Sequence, residues 1–310
     1  MDGLLVMDKP EGWTSHDVVA RARRLLREKR IGHTGTLDPF ATGVLVLLVG
    51  RATRLAQFLS GAEKEYEATI RLGYSTDTGD LTGARLAGGG ADCASLTRER
   101  LEAALSSLRG EIDQVPPMYS AKKVGGKKLY ELARRGEEIE RKAVRVRVSE
   151  FEMVAVGGDA FMLPGPEGSC DLRARVVCSA GTYVRSLAES VGGLLGTGAH
   201  LAALRRTRAG SFTIDAAVTP EGLQKRIEDG TPAGEFLTPL EAALPEMPAA
   251  HLTAEDERKV RHGAAVPAPA AWPEGFHVRL LDERGSLLAV AVYDSERGRL
   301  LPRVMLAAEK

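Results

Sequence analysis

GHTGTLDPFATGVL, residues 32–45, decides how this chain is read. A basic segment precedes it and the apolar run VLVLLV (44–49) follows it. The stretch carries one carboxylate, Asp38, among glycines and threonines. Upstream, residues 3–8 read as a short strand. Thr14 or Ser15 can cap a helix whose Val18, Val19, Ala22, Leu25 and Leu26 share one face. The rest of that helix is basic: Arg21, Arg23, Arg24, Arg27, Lys29 and Arg30 against Glu28 alone, a pattern suited to facing phosphate.

Downstream, the spacing predicts a strand over 44–49, a helix over 51–60, an alternating strand over 65–74, a loop over 75–83 and a helix capped by Thr97. An extended proline segment (114–121) leads into a second basic cluster of Lys122, Lys123, Lys127, Lys128, Arg134 and Arg135. An alternating strand begins at residue 144. A hairpin excursion is expected over 157–169, then a strand, a turn at 179–181 and a helix from about 182. Arg205, Arg206 and Arg208 add a third basic group. PEMPAAHLT (245–253) reads as a linker into three short strands. The expected architecture is α+β: a mixed α+β body over 1–247 with a small all-β barrel appended over 248–310.

The chain has 310 residues, is 44% hydrophobic and has a formal net charge of zero, enough apolar content for a large core. Zero net charge conceals the basic clusters, and charge distribution governs phosphate binding. Cys93, Cys170 and Cys178 include no CxxC pair, so a reducing compartment without a disulfide framework is expected. MDGLLVMDKP lacks a basic segment ahead of a long apolar one. No signal peptide or membrane span is expected, and a cytoplasmic monomer is. P-loop, GxGxxG, GxSxG and HExxH patterns are missing, which removes the common nucleotide, hydrolase and zinc-protease readings.

Asp38 admits two readings. It can cap a helical turn with Pro39 first and Gly43 last. That reading leaves His33, Thr34, Gly35 and Thr36 unexplained. The stretch resembles the catalytic motif of the TruB family of tRNA pseudouridine synthases. The likeness extends to LLVMDKPEGWTSHDVV (4–19), KEYEATIRLGYSTDTGDLTG (64–83), QVPPMYSAKKVGGKKLYELARRG (114–136), CSAGTYVRSLAESVG (178–192) and GAHLAALRRTRAGSF (198–212). Order and spacing agree over about residues 3–215. More weakly, the C-terminal module resembles the PUA domain of bacterial members.

The resemblance implies a pseudouridine-synthase fold, with a mixed, mostly antiparallel sheet flanked by helices and a small PUA-like C-terminal β-barrel, and conversion of uridine 55 in the tRNA T-loop to pseudouridine, without cofactor or metal. The glycosidic C–N bond breaks, the base rotates and C5 bonds to the ribose. Asp38 would be the nucleophile and Arg185 the cation that pairs with it and keeps its pKa low. Tyr66 would stack on the flipped base and is a candidate for removing the C5 proton. His33 would fill the space the base leaves, Tyr183 and Leu204 would line the pocket, and Lys9, Arg54 and Asp80 match motif positions near it. Residues 116–140 would form a mobile RNA clamp, with Lys123, Lys127, Lys128 and Arg205 as RNA contacts. The partner would be tRNA, through its T-arm and elbow, with the acceptor end meeting the C-terminal module. Lys122 stands where an apolar residue is expected. The C-terminal module carries nine basic and nine acidic residues from 251 onward. Rival readings are an RNA-folding helper that needs no carboxylate, and a metal-dependent hydrolase using His33 and Asp38, which lacks a third ligand at sensible spacing.

Overall fold

Each of two cores takes alternate residues of the run 44–49, and this places the rest of the first sheet. The structure, a computed structural model, describes residues 1–86, 92–120, 122–133, 135–137, 139–155, 157 and 160–307, without the side chains of residues 94, 123, 124, 128 and 233. Arg134 and the side chains of Lys123 and Lys128, all assigned above to the basic clamp, lie outside the described residues, as do 158–159 of the excursion.

The elements in the first part of the chain are β1 (Gly3–Lys9), α1 (Ser15–Leu26), β2 (Ile31–His33), β3 (Thr42–Val49), α2 (Ala56–Leu59), β4 (Lys64–Leu72), α3 (Arg98–Ser107) and β5 (Gly110–Gln114). A small hairpin, β6 (Lys123–Val124) and β7 (Lys127–Lys128), precedes α4 (Leu129–Ala133). There follow β8 (Val144–Met153), β9 (Met162–Pro164), β10 (Cys170–Cys178), α5 (Val184–Leu195), β11 (Ala199–Ala209), β12 (Phe212–Thr213) and α6 (Pro220–Glu228). The main sheet runs β1-β3-β11-β4-β10-β8-β5, with β2 on β3, β12 on β11 and β9 on β10. Among the described residues, β3 and β11 are the only named strands that pair in parallel in it, through Arg205 opposite Thr42 and Arg206 opposite Gly43. The excursion therefore adds a strand, β9, to the main sheet.

Period two explains β3. Val44, Val46 and Leu48 join Leu4 and Val6 in one core, while Leu45, Leu47 and Val49 join Leu5, Met7 and the apolar face of α1 in another. Thr14 closes a capping box with Asp17 at the start of α1, and Arg27, at φ 51°, ends the helix before the last basic residues. On the far side of the sheet, α3 and α5 pack against β4, β8 and β10 around Ile70, Phe151 and Leu172.

Two C-terminal expectations are corrected. The stretch 245–253 is more than linker: β13 (Ala249–His251) pairs in parallel with β15 (His277–Leu281). Its alanines show no alternation, so periodicity could not reveal it. The module is also not all-β, because α7 (Ala254–Arg261) follows, capped by Thr253. With β14 (Val266–Pro267), β16 (Leu287–Asp294) and β17 (Arg299–Met305), the second sheet runs β13-β15-β16-β17-β14 and curls as a half barrel. No helix among the described residues is long and apolar enough to cross a membrane.

Candidate active site

Asp38 sits in the connection from β2 to β3. Ser15 at the start of α1 holds that connection, its hydroxyl accepting from Leu37 N at 2.9 Å. Ala41 N donates to Asp38 O at 3.1 Å, closing a single turn that does not continue as helix. The carboxylate of Asp38 faces Arg185 in the first turn of α5, with Nε to Oδ2 at 2.9 Å. The capping reading therefore gives way to an ion pair.

Arg185 is 4% exposed and fully engaged. Its Nη1 donates to Thr78 O at 2.9 Å and its Nη2 to Tyr119 O at 2.7 Å. Asp80 supplies a second carboxylate, 3.9 Å from Nη1. Asp80 is itself fixed by Thr82, whose hydroxyl and backbone N–H donate to it at 2.6 and 2.9 Å, and by the Thr78 hydroxyl at 2.9 Å. One guanidinium thus ties together the Asp38 turn, the loop after β4 and the base of the clamp segment.

A partner cation was expected to keep the Asp38 pKa low, and here the structure differs. Burial pushes the carboxyl above its ordinary range and Asp80's charge adds to the effect, while Arg185 opposes it without cancelling it. Tyr66 on β4 is 8% exposed, and burial pushes its hydroxyl up, against the neighbouring Arg206 cation. Burial, reinforced by the charges of His16 and Arg206, lowers the His33 pKa. Its Nδ1 accepts from Gly35 N at 3.3 Å, which fits a neutral imidazole.

His33, Asp38, Tyr66, Tyr183, Arg185 and Leu204 all line one cavity of about 370 Å³. A second cavity of about 480 Å³ shares Asp38 and Arg185 and adds Asp80. Asp38 therefore stands on the wall between two spaces, each within the size range of small-ligand pockets.

Lys9 lies just outside, fully buried, its ammonium donating to Pro10 O (2.9 Å), Trp13 O (2.6 Å) and Pro39 O (3.1 Å). Burial brings its pKa down to about 8. It anchors the residue after Asp38 and contacts no open surface. Arg205 points elsewhere and pairs with Asp8 at 2.8 Å. Arg54 donates to Met305 O at 2.7 Å, toward the second sheet. Lys127 is exposed on the hairpin.

Sequence reasoning missed four contributors. Lys64 and Arg206 line the first cavity because each stands two residues from a named one, Tyr66 or Leu204, on the same strand face. Arg206 donates to Val44 O at 2.6 Å and Gly35 O at 3.1 Å, bracing both ends of the Asp38 turn. Gln114 clamps Tyr183 through both backbone groups, at 2.7 and 3.0 Å. No local pattern announces that long-range contact. Ser120 lines both cavities, and its buried hydroxyl has no hydrogen-bond partner among the described residues.

Comparison with known proteins gives a consistent result. Residues 23–184 match the family model described as TruB family pseudouridylate synthase (N terminal domain). Residues 185–245 match the model described as tRNA pseudouridylate synthase B C-terminal domain. The chain is 46% identical over 295 residues to tRNA pseudouridine synthase B of Ralstonia nicotianae, covering 94% of this chain and 90% of that protein. It is 45% identical over 310 residues to tRNA pseudouridine synthase B of Thermobifida fusca, covering 99% of each. Among solved structures, an H/ACA ribonucleoprotein bound to a substrate RNA containing 2'-deoxyuridine aligns with TM-score 0.72 at 25% identity, over 99% of this chain and 85% of that chain. A Cbf5–Nop10–Gar1 complex aligns with TM-score 0.68 at 28% identity, over 99% and 84%.

Proposed function

The chain belongs to the TruB family of pseudouridylate synthases, an enzyme of the isomerase class, and on that premise we propose that it converts uridine 55 in the T-loop of tRNA to pseudouridine with Asp38 as nucleophile. The observation that carries the reading is the meeting of Asp38, Arg185 and Tyr66 at one cavity, with Arg185 Nε 2.9 Å from the carboxylate. Relatives of nearly equal length are named for action on tRNA, and a similarly folded protein was solved with a substrate RNA containing 2'-deoxyuridine.

A stacked base must leave its helix to reach such a cavity, at a cost of a few kcal/mol. Stacking on Tyr66 returns about 1–3 kcal/mol. Neutral His33, at the cavity rim, occupies the vacated space in the loop without bringing a second charge near Arg185. Ser120 offers its hydroxyl, without a partner among the described residues, to the entering nucleotide. Asp38 attacks as the glycosidic bond to N1 breaks. The base turns, C5 bonds to C1' of the ribose as the bond to Asp38 breaks and frees its carboxylate, the C5 proton leaves to a base at the cavity, for which Tyr66 is the candidate, and N1 takes up a proton. Arg185 is held by two carbonyls and so cannot follow the carboxylate, which keeps the attacking oxygen in place.

In this reading residues 1–247 form the catalytic domain and 248–310 a PUA-like RNA-binding domain that meets the acceptor end. The hairpin of β6 and β7 lies in the clamp at 116–140, and Gly125 and Gly126, at φ 58° and 83°, supply its turn. Phosphate contacts from the clamp and α1 predict salt-sensitive binding, with log affinity falling linearly in log salt at about 0.7–0.9 per phosphate neutralised.

The test is pseudouridine formation on an unmodified T-arm stem-loop by wild type and Asp38→Asn, with RNA binding measured in the same tubes. Conversion by wild type, and binding without conversion by the variant, is the expected result. Tight binding without conversion by wild type would replace the reading with that of an RNA-folding helper.

A further inference from the structure

Two cysteines meet far from the catalytic cavity. Cys93 lies in a short 3-10 turn, Cys93–Ser95, and Cys170 opens β10, 77 residues later. Both are buried, in the core that also holds Leu96, Leu101 and Leu172. Their Sγ atoms stand 2.6 Å apart. Unbonded heavy atoms reach their best separation at about 3.5–4.0 Å, whereas a disulfide bond is about 2.05 Å long. The two sulfurs thus stand closer than an ordinary packing contact and only about half an ångström beyond bonding distance, so a small closing movement would join them.

We propose that Cys93 and Cys170 are a disulfide-forming pair, oxidised by exchange with a low-molecular-weight disulfide of the glutathione type. One cysteine thiolate attacks a sulfur of the small disulfide and releases one small thiol. The second cysteine then displaces the other small thiol from the mixed disulfide. The Cys93–Cys170 bond forms, and the two electrons and two protons given up end on the two released thiols.

The bond would tie the segment after the Asp80 loop to β10, the strand that leads on to Tyr183 and Arg185. It would close a long loop, the arrangement in which a cross-link constrains the unfolded chain most. Burial and the adjacent Cys93 sulfur hold the Cys170 thiol well above its ordinary pKa, so the folded protein exchanges slowly and the finished bond is shielded from outside thiols. Cys178 is an internal control. It ends β10, eight residues from Cys170, a strand span of about 26 Å.

The full chain would be unfolded in denaturant and refolded in a glutathione–glutathione disulfide buffer, so that burial does not block access, then alkylated under denaturing conditions and weighed. One alkylated cysteine is expected, against three in the reduced protein. A non-reduced digest should yield the Cys93 and Cys170 peptides linked. The melting temperature of the oxidised chain should exceed that of the reduced chain by about 5–10 °C, and Cys170→Ser should abolish that redox dependence. Three alkylated cysteines after refolding, a bond to Cys178, or glutathione left on Cys93 or Cys170 would each overturn the proposal.

Discussion

Asp38 is held in a state its surroundings oppose. Its native carboxyl keeps a proton to higher pH than the unfolded chain does, because burial outweighs Arg185. The native state therefore binds more protons in the window from about pH 4 up to the raised native value. Stability falls as pH rises through that window, and the loss is complete above it. Asp38→Asn removes the charge and should melt higher than wild type at pH 7, with the gap closing toward pH 4; thermal melts of both proteins at several pH values check this. The same substitution should lower conversion by more than about 1000-fold while sparing RNA affinity. Because the nucleophile must be ionised, the acid limb of kcat/KM should fall above the ordinary aspartate range of about 3.9. The pairing of Asp38 with Arg185 was legible through the motif resemblance. The direction of the pKa shift was not, since it depends on how far the fold takes the turn out of water and on the Asp80 charge brought beside it.

The elements beside Asp38 work by close approach. Gly43, the second residue of β3, has φ 101°, and a Cβ there would stand 2.2 Å from Arg206 O, on the paired strand. Gly43→Ala should cost at least about 3 kcal/mol in denaturant unfolding and lower kcat, because β3 and β11 must part where the turn is braced. Lys9 and Lys64 make a second device: both are buried, both have a pKa lowered to about 8, and both donate hydrogen bonds to backbone carbonyls around the site. The unfolded chain binds more protons than the native one between about pH 8 and the ordinary lysine value of 10.5. Stability from these groups should thus rise across that range. In Lys9→Met the rise should shrink by about half, alongside an overall loss from two orphaned carbonyls, Pro10 O and Trp13 O, at about 1–3 kcal/mol each, while Pro39 O keeps its bond from Gly12 N. Strands with clear alternation, such as β4 and β8, were legible in sequence, as was the Thr14-capped helix. β13 was not, for want of alternation. α7 was overlooked although Thr253, an acidic first turn and a basic last turn marked it.

At the scale of the molecule, the second sheet is part of the first sheet's core. Leu281, Leu287, Val290 and Leu306 pack in one cluster with Leu4, Val6, Val44, Val46 and Leu48. The opposite face of β16, through Leu288, Ala289 and Ala291, closes the module's own core. LLAVAV (287–292) is apolar at every position because both faces are covered, a pattern the sequence shows. What the sequence could not show is which body supplies the second cover. The change of texture near 248 therefore suggested a more separate appendage than the packing supports. Arg51 donates to Leu306 O and Arg54 to Met305 O, adding polar ties across the same junction. A chain ending at 247 would expose the apolar face of β1 and β3, so it should aggregate or melt at least 10 °C lower, on the order expected from losing several buried leucines. Leu287→Ala in the full chain is the gentler probe. It should cost about 2–5 kcal/mol, and calorimetry should show the whole protein still unfolding in one transition, moved to lower temperature. Two transitions, with the main one unmoved, would mean that the second sheet is an independent unit and serves only RNA. One shifted transition would mean that the enzyme needs its C-terminal sheet to fold, whatever that sheet binds.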